Sequence, residues 1–188
     1  MSKESKTLPA LFGGKRTINY KFKKYNSIGK EELIAASKVI KSGNLSGFVA
    51  GKDKDFYGGT FVNKFEQYLK KFYGVKFAIT VNSWTSGLIS AIGALDIEPG
   101  DEIITTPWTM CACATAILHW NAIPVFADID EKTFCISPES IKKKISKKTK
   151  AILAVDIFGI SADVEKIKKI IKNKNISIII DSAQTPYF

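Results

Sequence analysis

Two periodicities divide the chain. Up to about residue 73 the apolar positions, where they are ordered at all, recur every three or four residues. Residues 1–30 show no regular period and read as an irregular arm. In 31–42, Leu33, Ala36, Val39 and Ile40 fall on one helical face, and Gly43 marks the stop. A second helix over 61–73 carries Phe61, Phe65, Leu69 and Phe72 at the same spacing. Between them, 43–60 holds five glycines and reads either as a functional loop or as a plain flexible connector. This divides the chain into an arm, helix and glycine-rich loop over 1–60 and a larger domain over 61–188.

From residue 77 short apolar runs alternate with amphipathic stretches. The pattern predicts strands at Phe77–Val81, Glu102–Thr106, Ile123–Ala127, Ala151–Asp156 and Ile176–Asp181. Helices are expected between them at Thr85–Leu95, Thr109–Trp120, Pro138–Ile145 and Asp163–Ile171. The runs are rich in Val and Ile and apolar on both faces, as strands of a buried parallel sheet are. Strand–helix repetition with short links points to an α/β fold, a mostly parallel open sheet with helices on both faces. The last strand ends at Asp181 with seven residues to follow, so the expectation is a sheet completed by something further along the chain or by a partner.

Length and composition are those of a globular protein: 188 residues, 45% hydrophobic and 24% charged. No stretch resembles a signal peptide or a membrane span, and the three cysteines fit a reducing compartment, so a cytoplasmic setting is expected. The net charge of +10 raises nucleic acid as a partner. Arg16 is, however, the single arginine among 28 basic residues, and the lysines of 142–150 and 166–174 are interleaved with isoleucines. Solvated helix faces are the reading, with no nucleic acid and no membrane as partner.

In open α/β sheets ligands gather at the carboxyl ends of strands, and three segments belong there. Asn82-Ser83-Trp84-Thr85-Ser86 opens a helix with hydroxyl side chains and free N–H groups. It suits a phosphate seat, and equally plain capping by Ser83 or Thr85. Pro107-Trp108-Thr109-Met110 offers an aromatic ring and a thioether, for a flat ligand ring or for ordinary packing. Asp181 ends a strongly apolar strand, with Gln184 three residues on. A cationic ring nitrogen would suit it, and so would a turn role. His119 is the single histidine and sits inside an expected helix, where core or interface packing is the reading. Cys111 and Cys113 lack a second ligand pair, so no metal site is expected.

The blocks NSWTSGL, PGDEIITTPWTMCACATAI, NAIPVFADIDEKTFCISPESI, KTKAILAVDIFG and IIIDSAQ, in that order, resemble the DegT/DnrJ/EryC1/StrS aminotransferases. These are fold-type I enzymes that use pyridoxal 5′-phosphate to aminate keto sugars, usually nucleotide-linked. The resemblance implies an incomplete large domain of that fold, covering about the first half of a typical member. Trp84, through its backbone N–H, and Thr85 then hold the cofactor phosphate, where the family commonly has Ser-Gly-Thr or Ser-Ala-Thr. Trp108 or Met110 covers the ring, Asp181 pairs with the pyridinium nitrogen, and Gln184 neighbours the ring. The Schiff-base lysine follows the DSAQ block in the family, and none of the 27 lysines here has that setting. No catalytic residue is therefore visible in this chain. The resemblance further implies a keto-sugar substrate, glutamate or glutamine as amino donor, and a homodimer. Its alternatives are a keto-deoxysugar dehydratase with histidine in place of the lysine, or a non-catalytic product of a split gene needing a separate C-terminal half.

Overall fold

The computed structural model describes residues 8–45, 47, 51 and 56–185. Much of the glycine-rich loop 43–60 therefore lies outside the described residues. The chain forms two compact units, 1–64 and 65–188.

Among its described residues the first unit contains a 3-10 turn, Ala10–Phe12, and helix α1, Lys30–Ser42. Gly43 closes α1 in the left-handed conformation (φ 69°), as the sequence suggested. The Glu32 side chain bonds back to the N–H of Gly29 at 2.6 Å. The apolar face expected on α1 is uncovered, with Leu33 and Ile40 both exposed. Helix α2, Thr60–Tyr73, spans the division between the units.

The second unit is built on a parallel sheet of β1 (Glu102–Thr105), β2 (Ile123–Phe126), β3 (Thr149–Val155) and β4 (Ser177–Asp181), in the order β2-β1-β3-β4. Helices α3 (Trp84–Gly93), α4 (Ala112–His119), α5 (Pro138–Lys144) and α6 (Val164–Ile171) precede or connect the strands. The β1-to-β2 crossover runs one way along the sheet, and the next two run the other way. Right-handed crossovers therefore put α4 on one face and α5 and α6 on the opposite face. The packing agrees: α3 lies against α4, and α5 against α6.

β3 is one of the two inner strands, beside β1, and all of its residues except Lys150 are buried. Ile103, Ile104, Ile152 and Leu153 are fully enclosed in the sheet. Leu88, Ile92 and Ile117 cover it from one side, and Ile141 and Ile167 belong to α5 and α6 on the other. Each such side chain stabilises the fold by about 1.5–3 kcal/mol relative to exposure. The lysines of α5 and α6 point to solvent while Ile141 and Ile167 are buried, which is the division expected from the sequence.

Two expectations fail. Phe77–Val81 is not a strand. No neighbouring strand among the described residues offers it a ladder, and Phe77 and Ile79 are exposed. The Thr80 N–H and hydroxyl instead donate to one oxygen of Glu66, at 2.8 and 2.9 Å. Second, α4 starts at Ala112 and not at Thr109, because the Thr106 hydroxyl captures the Trp108 N–H at 3.2 Å and holds the segment in a turn. His119 is the last residue of α4 and exposed, edge-on to Trp120, so it does not belong to the core.

Candidate active site at the carboxyl edge of the sheet

The crossover direction reverses between β1 and β3, so the crevice outside their carboxyl ends is the ligand position such sheets favour. Thr105 and Thr106 close β1, Asp156 follows β3, and Asp181 closes β4 beside it. All four are buried.

Asp181 is 5% exposed and has no cationic partner among the described residues. Its Oδ1 accepts from the Trp84 indole N–H and from the Ala183 N–H at 3.1 Å. Its Oδ2 accepts from the Cys113 thiol at 3.4 Å. The turn role anticipated for Asp181 is thus present, but the indole and the thiol reach it from α3 and α4, far off in sequence. Cys113 is fully enclosed. Burial pushes its thiol up to about 11, against the pull of a contact with Thr109 and with a push from the Asp181 charge. It is therefore a neutral S–H donor at physiological pH.

Ser83 caps α3: its hydroxyl accepts from the Ser86 N–H at 3.1 Å. The backbone N–H groups of Trp84 and Thr85 donate no hydrogen bond to any of the described residues. They point out at the positive end of α3, with Thr85 exposed. The helix end is thus both capped and open, and the indole contact puts it next to Asp181.

The other expected residues form no hydrogen bond to Asp181. Trp108 is 49% exposed and packs at 6.0 Å between ring centroids on Phe134, which meets Phe158 edge-on at 6.0 Å. Phe134 and Phe158 both hold left-handed backbone, at φ 61° and 54°, an unusual conformation for bulky side chains and one that gathers at functional sites. Met110 is 70% exposed. Gln184 Oε1 accepts from the Phe158 N–H at 2.8 Å, which leaves its amide NH2 group for other partners.

Asp156, absent from the sequence expectations, ties the loops together. Its carboxylate accepts from the Ala162 N–H at 2.8 Å and the Ser182 hydroxyl at 2.7 Å, and its own N–H donates to the Asp181 carbonyl at 2.9 Å. Cys113 and Phe134 were also missed. A lone cysteine or phenylalanine carries no signal until the fold brings it to the site.

A model of the DegT/DnrJ/EryC1/StrS aminotransferase family matches residues 48–187. The chain belongs to this family. Members are pyridoxal-phosphate enzymes, and the parallel sheet with its flanking helices is the corresponding fold-type I architecture. Among curated relatives, the spore coat polysaccharide biosynthesis protein SpsC of Bacillus subtilis is 38% identical over 160 residues, covering 85% of this chain and 38% of its own. The solved aminotransferase of Psychrobacter cryohalolentis superposes with a TM-score of 0.78 at 33% identity, over 88% of this chain and 40% of its own. A GDP-4-keto-6-deoxymannose-3-dehydratase, solved with a trapped adduct of pyridoxal phosphate and glutamate, gives 0.75 at 26% identity over 86% and 40%. The chain thus spans about two fifths of the length of the proteins it matches.

The residues present fit such a cofactor. A buried carboxylate without a cation suits a protonated ring nitrogen. Open N–H groups at a capped helix start suit a phosphate. Among the described residues no cluster of side chains suits a metal ion, and no helix is long and apolar enough to cross a membrane.

Proposed function

We propose that this chain supplies the cofactor-holding portion of a pyridoxal-phosphate aminotransferase that acts on a nucleotide-linked keto sugar, with glutamate or glutamine as amino donor and with a homodimer as the working assembly. The observation that carries the reading is the buried Asp181 carboxylate, which has only neutral donors, beside the open start of α3. Bound there, the cofactor supplies an electron sink for moving an amino group between donor and acceptor. The chain's residues bind and orient it. Asp181 holds the charged ring N–H, and the Trp84 and Thr85 backbone N–H groups take the phosphate, helped by the helix dipole. Trp108 or Met110 would cover one ring face, and Gln184 would neighbour the ring. The three free cysteines agree with a cytoplasmic setting.

This reading assigns the cofactor lysine to no residue of the chain. The test is formation of 2-oxoglutarate and an amino sugar from glutamate or glutamine and a panel of GDP- and dTDP-linked keto sugars. The reading expects no turnover by these 188 residues alone. It expects turnover once a lysine-bearing C-terminal segment is joined to them, lost again with Asp181→Asn. Turnover by the 188 residues alone, or indifference to D181N, contradicts it. A keto-deoxysugar dehydratase is the second reading, supported by the likeness to the dehydratase structure. Deamination and loss of a hydroxyl, with no amino sugar formed, would favour it.

A further inference from the structure

We propose that the Trp84 side chain is a positioning residue for the cofactor carboxylate: its indole N–H fixes Asp181 through Oδ1 and leaves Oδ2 to the charged ring nitrogen. This deepens the function proposed above and rests on it.

An ionised carboxylate has about four lone-pair sites, two on each oxygen. On Asp181 the two Oδ1 sites are taken by N–H donors, from Trp84 and Ala183. Oδ2 receives one thiol, from Cys113 at 3.4 Å, the weakest donor type in the set. Among the described residues no donor fills the second Oδ2 site, and the first is held by a group that a charged N–H outcompetes. Trp84 therefore does not compete with a cofactor for the same oxygen.

The indole is placed for this by the helix beneath it. A Cβ on Gly87 would lie 3.0 Å from Trp84 Cε3 and 3.2 Å from Cζ3, so the missing side chain is what lets the ring lie back over the first turn of α3. Apolar packing alone is a poor account of the ring, which stays 47% exposed while its N–H is spent on a buried acceptor. One residue thus serves both ends of the site, its backbone N–H beside the phosphate seat and its side-chain N–H on the carboxylate.

The experiment is an NMR and binding study of the 188-residue chain with its three tryptophans labelled at the indole nitrogen. Loss of a signal in W84F assigns Trp84. The proposal expects that signal to move markedly in D181N and in G87A, while the Trp120 signal stays put. It expects the Trp84 signal to keep its hydrogen-bonded position when pyridoxal phosphate saturates the chain. W84F should weaken pyridoxal phosphate by about tenfold, as loss of a hydrogen bond to a charged group does. Benzyl phosphate, which lacks the ring nitrogen, should lose far less affinity in W84F than pyridoxal phosphate does; a merely structural role would weaken both ligands alike. Three results overturn the proposal while leaving the cofactor reading intact. One is a Trp84 signal indifferent to D181N. Another is equal affinity of W84F and unsubstituted chain for pyridoxal phosphate, and the third is release of the indole on cofactor binding. Failure of the unsubstituted chain to bind pyridoxal phosphate overturns the cofactor reading and the positioning role together, and is told apart by the indole signal still depending on Asp181.

Discussion

Gly93 closes α3 against the ring of Trp120, and replacing it with alanine tests how the site's supporting helices are held. A Cβ at this position would stand 2.1 Å from Trp120 Cζ2 and 2.7 Å from Cε2 and Cη2, so the ring has to move. The Trp120 indole N–H now donates to the Ile89 carbonyl at 2.8 Å, which pins α3 to the end of α4. Overpacking of this kind costs about 1–3 kcal/mol. Losing the hydrogen bond adds roughly 1 kcal/mol. Better helix propensity of alanine offsets at most about 1 kcal/mol, and less at the last residue of a helix. The net expectation for Gly93→Ala is a loss of about 2 kcal/mol, read as a lower urea midpoint at unchanged slope. The cause is isolated by a double-mutant cycle with W120A. In that background G93A should be neutral or stabilising, because the clashing ring is gone. An equal loss in both backgrounds would refute the account of α3–α4 packing given above.

Four further outcomes follow from the same structure. Ser182→Ala removes the hydroxyl from the buried Asp156 Oδ2 and should cost about 1–3 kcal/mol in chemical denaturation, the usual penalty for a buried acceptor left unmade. Cys111 is exposed while Cys113 and Cys135 are buried, so a thiol reagent on the native chain should label Cys111 first and the other two only on unfolding. Because the Cys113 thiol is raised from 9.0 to about 11 in the folded state, that state holds the proton more tightly than the unfolded one; stability from this group is complete below pH 9 and should decline as pH rises towards 11, a decline absent in C113A. At the acid end the sign reverses: backbone N–H groups of Thr133 and Lys132 lower Asp130, so its contribution is present above the ordinary carboxylate range and lost as pH falls through it, and D130N should flatten that part of the stability curve.

What could be read from the sequence was whatever a local pattern controls. The apolar run Ala151–Val155 reads as a strand buried on both faces, and it forms an inner strand of the sheet. The Ile-Lys interleaving of α5 and α6 already separated core from solvent. Asp181 stood out because a carboxylate closing an Ile-rich strand needs a partner, and in the fold it is buried. Phe77–Val81 misled because a strand requires a neighbour, and an apolar run says nothing of whether one is beside it. The site's side-chain geometry was illegible for a related reason. Trp84 and Asp181 meet across 97 residues and Cys113 and Asp181 across 68, and only the sheet order makes those contacts. The left-handed backbone at Phe134 and Phe158 was equally hidden, since the residue type argues against it.

The central claim is that the Asp181 carboxylate and the start of α3 form one cofactor seat, and direct titration of the 188-residue chain with pyridoxal phosphate tests it. The account predicts saturable binding of one equivalent, weakened about tenfold or more in Asp181→Asn, which keeps the side chain's shape but not its charge. No saturable binding by the unsubstituted chain, or equal binding by the D181N variant, would contradict it.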